Sequence, residues 1–379
     1  PIEAPIKKDQ KVGILKVIYK DEIINEYHVY AFENVKKLNA ISRIIKNDFN
    51  NIFQESIIHT GQHYDKNMSE LFFEELDIPL PQHNMNISSL KHGEMTGKMI
   101  IEFESFLLEN KTDYVLLYGD TNSTLAGMLA SIKLGIPVAH VEAGLRSYNL
   151  KMPEEMNRIL VDRLSKLLFC PTLQAVNNLS LEGIKEGVHQ VGDVMFDIAL
   201  YYREKAKLHS NILLNYNLQP NEFYLVTCHR PENTNDEIRL KQIFLAIAEL
   251  AATNKLIFPC HPRTRKYLAR YQMLDLLNDV IVTEPLSFLD TVVLEQSAKA
   301  IITDSGGMQK EAFFYGVPCV TMRDETEWIE TVELGWNVIT GANKDKILNA
   351  VDSISTGKSG AAPYGDGQAA RKILEVLGK

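Results

Sequence analysis

Short runs of almost wholly apolar residues alternate with longer helical stretches along most of the chain. Examples of the apolar runs are YVLLY at 114–118, FYLVT at 223–227 and AIIT at 300–303, and STLAGMLASIKLG at 123–135 is a typical helical stretch. Strands that are apolar on both faces occur in parallel sheets that helices cover on both sides. The alternation therefore predicts a doubly wound α/β architecture.

The chain of 379 residues is too long for one ordinary domain and predicts two. The expected boundary lies near the turn in EGVHQVGD, within 185–200. We predict a disordered tail at 1–10, an N-terminal domain at 11–187 and a second domain at 188–364, with the final helix in 365–379 packing back on the first domain. A ligand is then expected in the cleft between the two domains.

Charge and composition exclude several classes of protein. The net charge of −9 argues against a nucleic-acid partner, although a small phosphorylated ligand needs only a local positive site. No apolar run reaches the roughly 18 residues that a membrane span requires, so we expect no membrane association. The cysteines lack a CxxC spacing, which argues against a zinc ribbon or a disulfide framework and favours a cytoplasmic protein. They are Cys170, Cys228, Cys260 and Cys319.

Polar residues gather where the apolar runs end. In open α/β sheets ligands bind beyond the carboxyl ends of the strands, so these residues predict one shared site built from many loops. The segments are His59–His63, Gly119–Thr121, His140–Glu142, Cys228–Arg230, Cys260–Pro262 and Asp304–Gly307.

The Asp304–Gly307 segment joins a strand to a helix that is expected to begin near Met308. Glycines let a backbone approach a ligand closely, and the free N–H groups at a helix start favour an anion, so the segment suits a diphosphate. An ordinary turn with Ser305 as the N-cap of the helix is the alternative. Glu311 lies about one turn into the helix, where it could accept from a ribose diol or simply compensate the helix dipole.

Three carboxylates are candidates for acid/base chemistry. Asp120 and Glu142 each follow an apolar strand, where poor solvation can raise the pKa of a carboxyl group. The alternatives are that Asp120 caps the next helix and that Glu142 forms a salt bridge with Arg146. Glu154 lies in the first turn of a helix that starts in MPEEMNR, where it could instead pair with Arg158 on the surface.

The histidines do not follow a metal-binding pattern, and the chain lacks a G-x-G-x-x-G turn after a strand. We therefore expect neither a metal nor a nicotinamide cofactor. His229 and Arg230 could lie beside a phosphate or a leaving group, although a strand-end histidine is more often only a hydrogen-bonding residue. The histidines considered are His63, His92, His140, His229 and His261.

As an ordered set, several motifs resemble those of the non-hydrolysing UDP-N-acetylglucosamine 2-epimerase family. They are HTGQHYD, YGDTNSTLAG, HVEAGLRS, PEEMNR, CHRPENT, DSGGMQKEAFFYGVP and MRDETEWIETV, and the resemblance extends from about Glu55 to the C-terminus. It implies two Rossmann-like domains of the glycosyltransferase-B type with the active site in the interdomain cleft. It also implies an isomerase that needs no cofactor or metal and that usually forms a homodimer.

The resemblance further implies a mechanism and a set of residues. A base removes the C2 proton of a UDP-sugar while UDP leaves, giving a 2-acetamidoglucal, and UDP then adds back with protonation from the opposite face; in this way UDP-GlcNAc and UDP-ManNAc interconvert. The implied catalytic residues are Asp120, Glu142, Glu154 and His229. The resemblance implies that the diphosphate and uridine are bound by Ser305, Gly306, Gly307, Glu311 and Arg323, and it puts Lys37 at the family lysine position. The other residues that we predict to bind the UDP-sugar are His63, Arg146, Arg230 and His261.

This chain departs from the family pattern at one place. The family's Gly-x-Arg-Pro turn precedes the helix that carries Lys37, whereas this sequence has YAFE at Tyr30–Glu33. A catalytically silent UDP-sugar-binding protein is therefore one alternative, and a glycosyltransferase of the same fold is another. The segments KHGEMTGKM, SYNLKMPEEMNR and LLFCPT resemble family members acting on UDP-2,3-diacetamido-glucuronic acid, which is the alternative substrate.

Overall fold

The structure is a computed structural model that describes residues 17–19, 22–25, 27–32, 35–61, 81–88, 90–358 and 360–379, with side chains from residue 40 onward. The expected tail at 1–10, the residue His63 and the side chain of Lys37 therefore lie outside the described part. The chain forms two compact units. The first unit contains residues 1–191 and 368–379, and the second unit contains residues 192–367.

The elements follow one another in strict β/α alternation over most of the chain. In chain order the strands are β1 (Val17–Tyr19), β2 (Glu22–Asn25), β3 (Tyr27–Phe32), β4 (Phe53–His59), β5 (His83–Asn84), β6 (Tyr114–Tyr118), β7 (Val138–Val141), β8 (Leu167–Cys170), β9 (Val188–Gln190), β10 (Phe223–Thr227), β11 (Lys255–Pro259), β12 (Ile281–Thr283), β13 (Ala300–Thr303), β14 (Cys319–Thr321) and β15 (Asn337–Ile339). The helices are α1 (Val35–Asp48), α2 (His92–Glu109), α3 (Asn122–Lys133), α4 (Pro153–Leu164), α5 (Leu173–Leu181), α6 (Val194–His209), α7 (Ile212–Asn215), α8 (Pro231–Thr234), α9 (Glu237–Ala251), α10 (Pro262–Arg270), α11 (Phe288–Ser297), α12 (Gly306–Tyr315), α13 (Ile329–Glu333), α14 (Lys344–Ser353) and α15 (Ala369–Leu377).

In the first unit, the described strands β3 to β9 form a sheet of seven in the order β5-β4-β3-β6-β7-β8-β9, and every pairing is parallel. The strands β1 and β2 pair antiparallel in a separate ribbon. The helix α15 packs against α1, and Arg371 forms an ion pair with Asp48 there. A segment from the end of the chain thus completes the unit that the beginning of the chain starts.

In the described part of the second unit, six strands form a parallel sheet in the order β12-β11-β10-β13-β14-β15. One face packs on α9, where Val226 and Ile302 share a buried core with Ile243. The helices α6, α11 and α12 pack on one another as a further layer. Strands buried in this way need apolar residues on both faces, which is why their sequences do not alternate.

The predicted doubly wound architecture of parallel sheets is confirmed in both units. Because parallel strands end at the same edge of a sheet, the polar residues that follow them are collected there. Among the described residues, none of the helices has the length and the apolar composition needed to cross a bilayer.

Glu55, in the middle of β4, predicts an unusual dependence of stability on pH. Part of its side chain is exposed, but Oε1 is buried without a hydrogen-bond partner. Burial raises the pKa of Glu55 from 4.5 to about 7, and the Ser42 hydroxyl opposes this only in part. The folded state therefore holds a proton that the unfolded state releases near its ordinary pKa, so stability is full below that value and falls as the pH rises through about 7.

We expect Glu55→Gln to remove this loss because the amide carries no charge. At pH 8 its free energy of unfolding should exceed that of the parent by up to about 3 kcal/mol, and the two should converge near pH 4. Urea unfolding across this range measures the difference. Glu104→Gln, at an exposed position of α2, is the control. An advantage of Glu55→Gln that did not grow with pH would contradict the assignment.

Candidate active site

Asp120 lies two residues after β6, in a turn that begins with Gly119. Gly119 has a φ of 69°, in the left-handed region that glycine tolerates best. The N-cap of α3 is Thr121, whose hydroxyl accepts the Thr124 backbone N–H at 3.4 Å. The alternative in which Asp120 caps this helix is therefore wrong. Its carboxylate instead receives Arg158, whose Nη2 donates to Oδ2 at 2.6 Å.

Arg158 reaches Asp120 from α4 and is only 5% exposed. Its Nη1 donates to Glu155 Oε2 at 2.7 Å, so one guanidinium joins two carboxylates. The alternative of a surface pair between Glu154 and Arg158 required an exposed Arg158, but the phase of α4 turns Arg158 inward with Glu155. Glu154 lies half-buried in the first turn of the same helix.

Glu155 holds the loop that precedes α4. It accepts the backbone N–H groups of Ser147 and Tyr148, each at 2.9 Å, and the Ser147 hydroxyl at 3.0 Å. Burial raises the pKa of Glu155, but the Ser147 N–H, Arg158 and the Tyr148 N–H outweigh it, so the pKa lies below the ordinary value. The sequence interpretation missed this residue. Its spacing of three from Arg158 was the available signal.

Glu142 follows β7 with a backbone conformation that is rare for its residue type. Its φ is 71°, in the left-handed region, and its side chain is nearly buried at 8% exposure. The backbone N–H groups of Glu142 and Ala143 both donate to the Phe169 carbonyl, at 3.1 and 3.2 Å. Such a conformation costs on the order of 1 kcal/mol or more in a non-glycine residue and often marks a functional site.

Arg146 does not form the expected salt bridge with Glu142. Its Nη1 donates to Asp162 Oδ2 at 2.7 Å, and its Nε and Nη2 bind Glu182 at 2.7 and 2.8 Å. Asp162 also accepts His140 Nδ1 at 2.7 Å, while His140 Nε2 donates to the Gly119 carbonyl at 2.8 Å. Burial raises the pKa of Asp162, but His140 and Arg146 outweigh it and lower the pKa. The network therefore braces the turn that carries Asp120.

In the second unit, His229 follows β10 and has a side chain that is 38% exposed. Its ring centroid lies 5.7 Å from that of the exposed His261, whose Nδ1 accepts the Arg263 backbone N–H at 3.1 Å. The pKa of His229 lies below the ordinary value, first because of burial and then because of Arg230 and Arg263. Asp304 and Glu232 oppose this shift.

Ser305 caps α12, since its hydroxyl accepts the Met308 backbone N–H at 3.5 Å. The helix begins at Gly306, earlier than the sequence indicated, and neither Gly306 nor Gly307 has a positive φ. A Cβ at Gly306 would lie 3.5 Å from both Arg323 Nη1 and Trp328 Nε1. Backbone conformation therefore does not require these glycines. At Gly306, glycine leaves room beside the ion pair of Arg323 and Glu327, whose Oε2 would lie 3.8 Å from the same Cβ.

Trp328 presents an unusual donor to that space. Its Nε1 is buried and has no hydrogen-bond partner, which costs about 1–3 kcal/mol in a protein interior. Lys310 lies over the indole ring with Nζ 3.9 Å from its centroid. Arg323 forms two hydrogen bonds with Glu327, at 2.9 and 3.2 Å. The N-terminus of α12, Arg323 and the unpaired indole N–H together suit an anion.

The structure thus groups the predicted residues within each unit. In the first unit, Asp120, Glu142 and Glu154 lie beyond β6 and β7 or at the start of α4. In the second unit, His229 and Arg230 lie beside Asp304, while Ser305, Gly306 and Arg323 lie together at the start of α12. Glu311 is nearly buried one turn into α12. Trp328 and Glu155 are additions that the sequence interpretation did not select.

Comparison with known proteins shows what the chain resembles. Residues 46–378 match the model of a family described as UDP-N-acetylglucosamine 2-epimerase. Residues 1–37 match a different model, the C-terminal domain of penicillin-binding protein 5. The second match spans the segment in which the Gly-x-Arg-Pro turn was expected.

Curated relatives share nearly half of the residues. A UDP-N-acetylglucosamine 2-epimerase homolog of Methanococcus maripaludis is 47% identical over 348 residues, which cover 90% of this chain and 95% of the relative. The UDP-2,3-diacetamido-2,3-dideoxy-D-glucuronate 2-epimerase of Pseudomonas aeruginosa is 47% identical over 332 residues, covering 86% and 91%.

Solved structures of UDP-GlcNAc 2-epimerases are similar over nearly the whole chain. That of Methanocaldococcus jannaschii, in complex with UDP-GlcNAc and UDP, is 42% identical, with a TM-score of 0.85 and coverage of 93% of this chain and 99% of the other. That of Neisseria meningitidis, bound to UDP-GlcNAc, is 30% identical, with a TM-score of 0.83 and coverage of 93% and 99%. The fold is accordingly of the glycosyltransferase-B type.

We expect Arg158→Met to destabilise the protein, because it leaves Asp120 and Glu155 without their shared cation. The free energy of unfolding should fall by about 3 kcal/mol at pH 7. The pKa of Glu155 is lowered by folding, so its contribution is present above its ordinary pKa and is lost as the pH falls below that value. The loss in Arg158→Met should therefore shrink in acid.

Urea unfolding at pH 7 and in acid measures this difference. Arg163→Met is the matched control, because Arg163 lies on the same helix and makes only an exposed hydrogen bond to the Glu182 carbonyl at 3.3 Å. Equal losses in the two variants would contradict the buried bridge.

Proposed function

Because the chain belongs to the UDP-N-acetylglucosamine 2-epimerase family, a family of isomerases, we propose that it inverts C2 of a UDP-linked 2-acetamido sugar. The proposed reaction interconverts UDP-GlcNAc and UDP-ManNAc. The observation that supports it is that carboxylates follow the strands of one unit, while the other unit has a helix N-terminus beside Arg323 and the unpaired indole N–H of Trp328. A C2 inversion through elimination requires both kinds of group.

We assign the diphosphate of the substrate to the start of α12. Its negative charge would meet the helix N-terminus and Arg323, and the indole N–H of Trp328 would gain the acceptor that it lacks. Stabilising the diphosphate most strongly as UDP departs would favour cleavage of the bond to C1. Glu311 is assigned to the ribose hydroxyls. Arg230, His261, Lys37 and His63 stay predicted substrate contacts.

We assign the proton transfers to Asp120, Glu142 and Glu154, with His229 acting near the departing diphosphate. One carboxylate would remove the C2 proton as the C1–oxygen bond breaks, leaving a 2-acetamidoglucal and free UDP. UDP would then add to C1 while an acid on the opposite face protonates C2. Arg146, committed to Asp162 and Glu182, is given a structural role instead of a substrate contact.

Incubation with UDP-GlcNAc in deuterated water tests the function, because reversible loss of the C2 proton introduces deuterium at C2. The uronate UDP-2,3-diacetamido-2,3-dideoxy-glucuronic acid is the second substrate to test, since a relative named for it is 47% identical. Exchange with one substrate alone identifies the specificity. Absence of exchange with both would refute the proposed activity.

A catalytically silent UDP-sugar-binding protein is the second candidate. The family model begins at residue 46, and a different model matches residues 1–37, where the nucleotide-binding turn of the family was expected. Calorimetry that detects UDP binding in a protein without C2 exchange would favour this candidate.

We expect Asp120→Asn to reduce C2 exchange by about a hundredfold or more, because the amide cannot accept a proton. The Asn side chain keeps an oxygen for Arg158, so folding and UDP affinity should change little. Deuterium incorporation and calorimetry measure the two effects. Full exchange in Asp120→Asn would remove Asp120 from the catalytic set.

We expect Gly306→Ala to weaken UDP binding by about tenfold or more, which corresponds to about 1.4 kcal/mol. The methyl group would fill the space beside Arg323 and Trp328 without a clash in the free protein. Gly97→Ala, in α2, is the control because its Cβ would meet no atom within 4 Å. Calorimetry with UDP should separate the variants, and unchanged affinity in Gly306→Ala would place the diphosphate elsewhere.

We infer a homodimer from an apolar stripe on α4. Met156, Leu160 and Leu164 are spaced one turn apart, and each is 46–47% exposed. Adjacent exposed apolar residues of this kind mark association surfaces. Light scattering should show a dimer that Leu160→Arg weakens, whereas Leu208→Arg, at a separate exposed position on α6, should not. A monomeric parent protein would reject the inference.

We place the protein in the cytoplasm. The four cysteines are free and buried, and none is paired in a disulfide. Reduced thiols are the usual state in that compartment.

A further inference from the structure

Asp304 lies where two neighbouring strands of the second unit leave the sheet. The strands β10 and β13 pair in parallel up to Thr227 and Thr303, whose hydroxyl groups are 2.6 Å apart. Cys228–Arg230 and Asp304–Gly306 therefore emerge side by side. The first segment carries His229, and the second begins the anion position at α12.

The Asp304 carboxylate is 0% exposed and accepts hydrogen bonds from the Cys228–Arg230 segment. The His229 backbone N–H lies 3.0 Å from each carboxylate oxygen, and the Arg230 N–H donates to Oδ2 at 2.9 Å. The N–H groups of His229 and Arg230 both precede the short helix α8. The buried side chain of Asp304 thus fixes the backbone at His229.

Asn233 extends this connection to a third segment. Its Nδ2 donates to Asp304 Oδ2 at 3.2 Å and to the Met322 carbonyl at 3.0 Å. Met322 directly precedes Arg323, which lies beside Gly306. The carboxylate of Asp304 therefore connects the segments that carry His229, Arg323 and the glycines of α12.

Asp304 is also the buried anion closest to the His229 ring, with Oδ1 3.4 Å from Nδ1. The other charged or titratable groups facing this ring come from two places. Arg230 and Glu232 belong to its own segment, and His261 and Arg263 follow β11. Among these groups, Asp304 and Glu232 favour a protonated imidazole, whereas the cations disfavour it.

We propose that Asp304 is a positioning residue that holds His229 at a fixed distance from the diphosphate position and supplies the buried negative charge behind its ring. This rests on the proposed function, which assigns His229 and α12 to the departing diphosphate. An asparagine could not replace Asp304, because three N–H donors converge on the carboxylate and an amide NH₂ would face one of them.

The test compares Asp304→Asn with the parent in the absence of substrate. The protein is labelled with ¹³C and ¹⁵N on histidine and titrated by NMR, and the His229→Gln variant identifies the His229 signal. In Asp304→Asn, the midpoint pH of the His229 titration should fall by about half a pH unit or more. Asp275→Asn, which removes an exposed charge from the same unit, should leave it unchanged. An unchanged His229 midpoint in folded Asp304→Asn would overturn the electrostatic part of the proposal.

Asn233→Ala tests the geometric part and keeps the charge of Asp304. It removes the connection to Met322, so UDP affinity should fall by about fivefold or more while the His229 midpoint stays within about 0.2 of the parent. Unchanged UDP affinity in Asn233→Ala would overturn the linkage, even where Asp304→Asn does not fold.

Activity provides a third measurement that separates the two proposals. If the proposed function holds, the limb of the pH–rate profile that His229 governs should move in Asp304→Asn in the same direction as its titration. A parent protein without C2 exchange would refute the proposed function, whereas the titration and UDP binding would still decide the role of Asp304.

Discussion

A carboxylate buried at the end of a strand or helix is stable only when several N–H groups converge on it. Asp162 and Glu155 in the first unit and Asp304 in the second unit are each nearly or fully buried. Each accepts backbone N–H groups from a loop: Gly144 donates to Asp162, Ser147 and Tyr148 donate to Glu155, and His229 and Arg230 donate to Asp304. The hydrogen bonds that stabilise these buried charges also fix the loops beyond the parallel strands. The candidate active-site residues lie on those loops.

The two units meet this requirement in different ways. In the first unit, the cations Arg146 and Arg158 share the carboxylates, so ion pairs brace the turns around Asp120 and Ser147. In the second unit, Asp304 is held mainly by backbone and amide N–H groups, and its carboxylate lies 3.4 Å from the His229 ring. The first arrangement fixes the carboxylates through arginine, and the second leaves a buried carboxylate beside a histidine ring.

The sequence predicts the fold well because strands that are buried on both faces, such as YVLLY and AIIT, consist almost entirely of apolar residues. It also locates Asp120, Glu142 and Asp304, since strand ends are visible as the point where apolar residues stop. It could not reveal that Arg158 bridges Asp120 and Glu155. That depends on the phase of α4 and on the packing of residues 38 positions apart in the chain. The unpaired indole of Trp328 likewise depends on tertiary packing alone.

The packing of α15 against α1 also bears on the order in which the molecule can fold. During synthesis, residues 369–377 emerge from the ribosome only after the second unit, because they follow it in the chain. The face of α1 that α15 covers is therefore completed only by a segment that emerges after the second unit, although α1 lies near the start of the chain. Deletion of residues 369–377 would thus expose apolar surface in the first unit, although the second unit lies between these residues and the rest of the first unit in the chain.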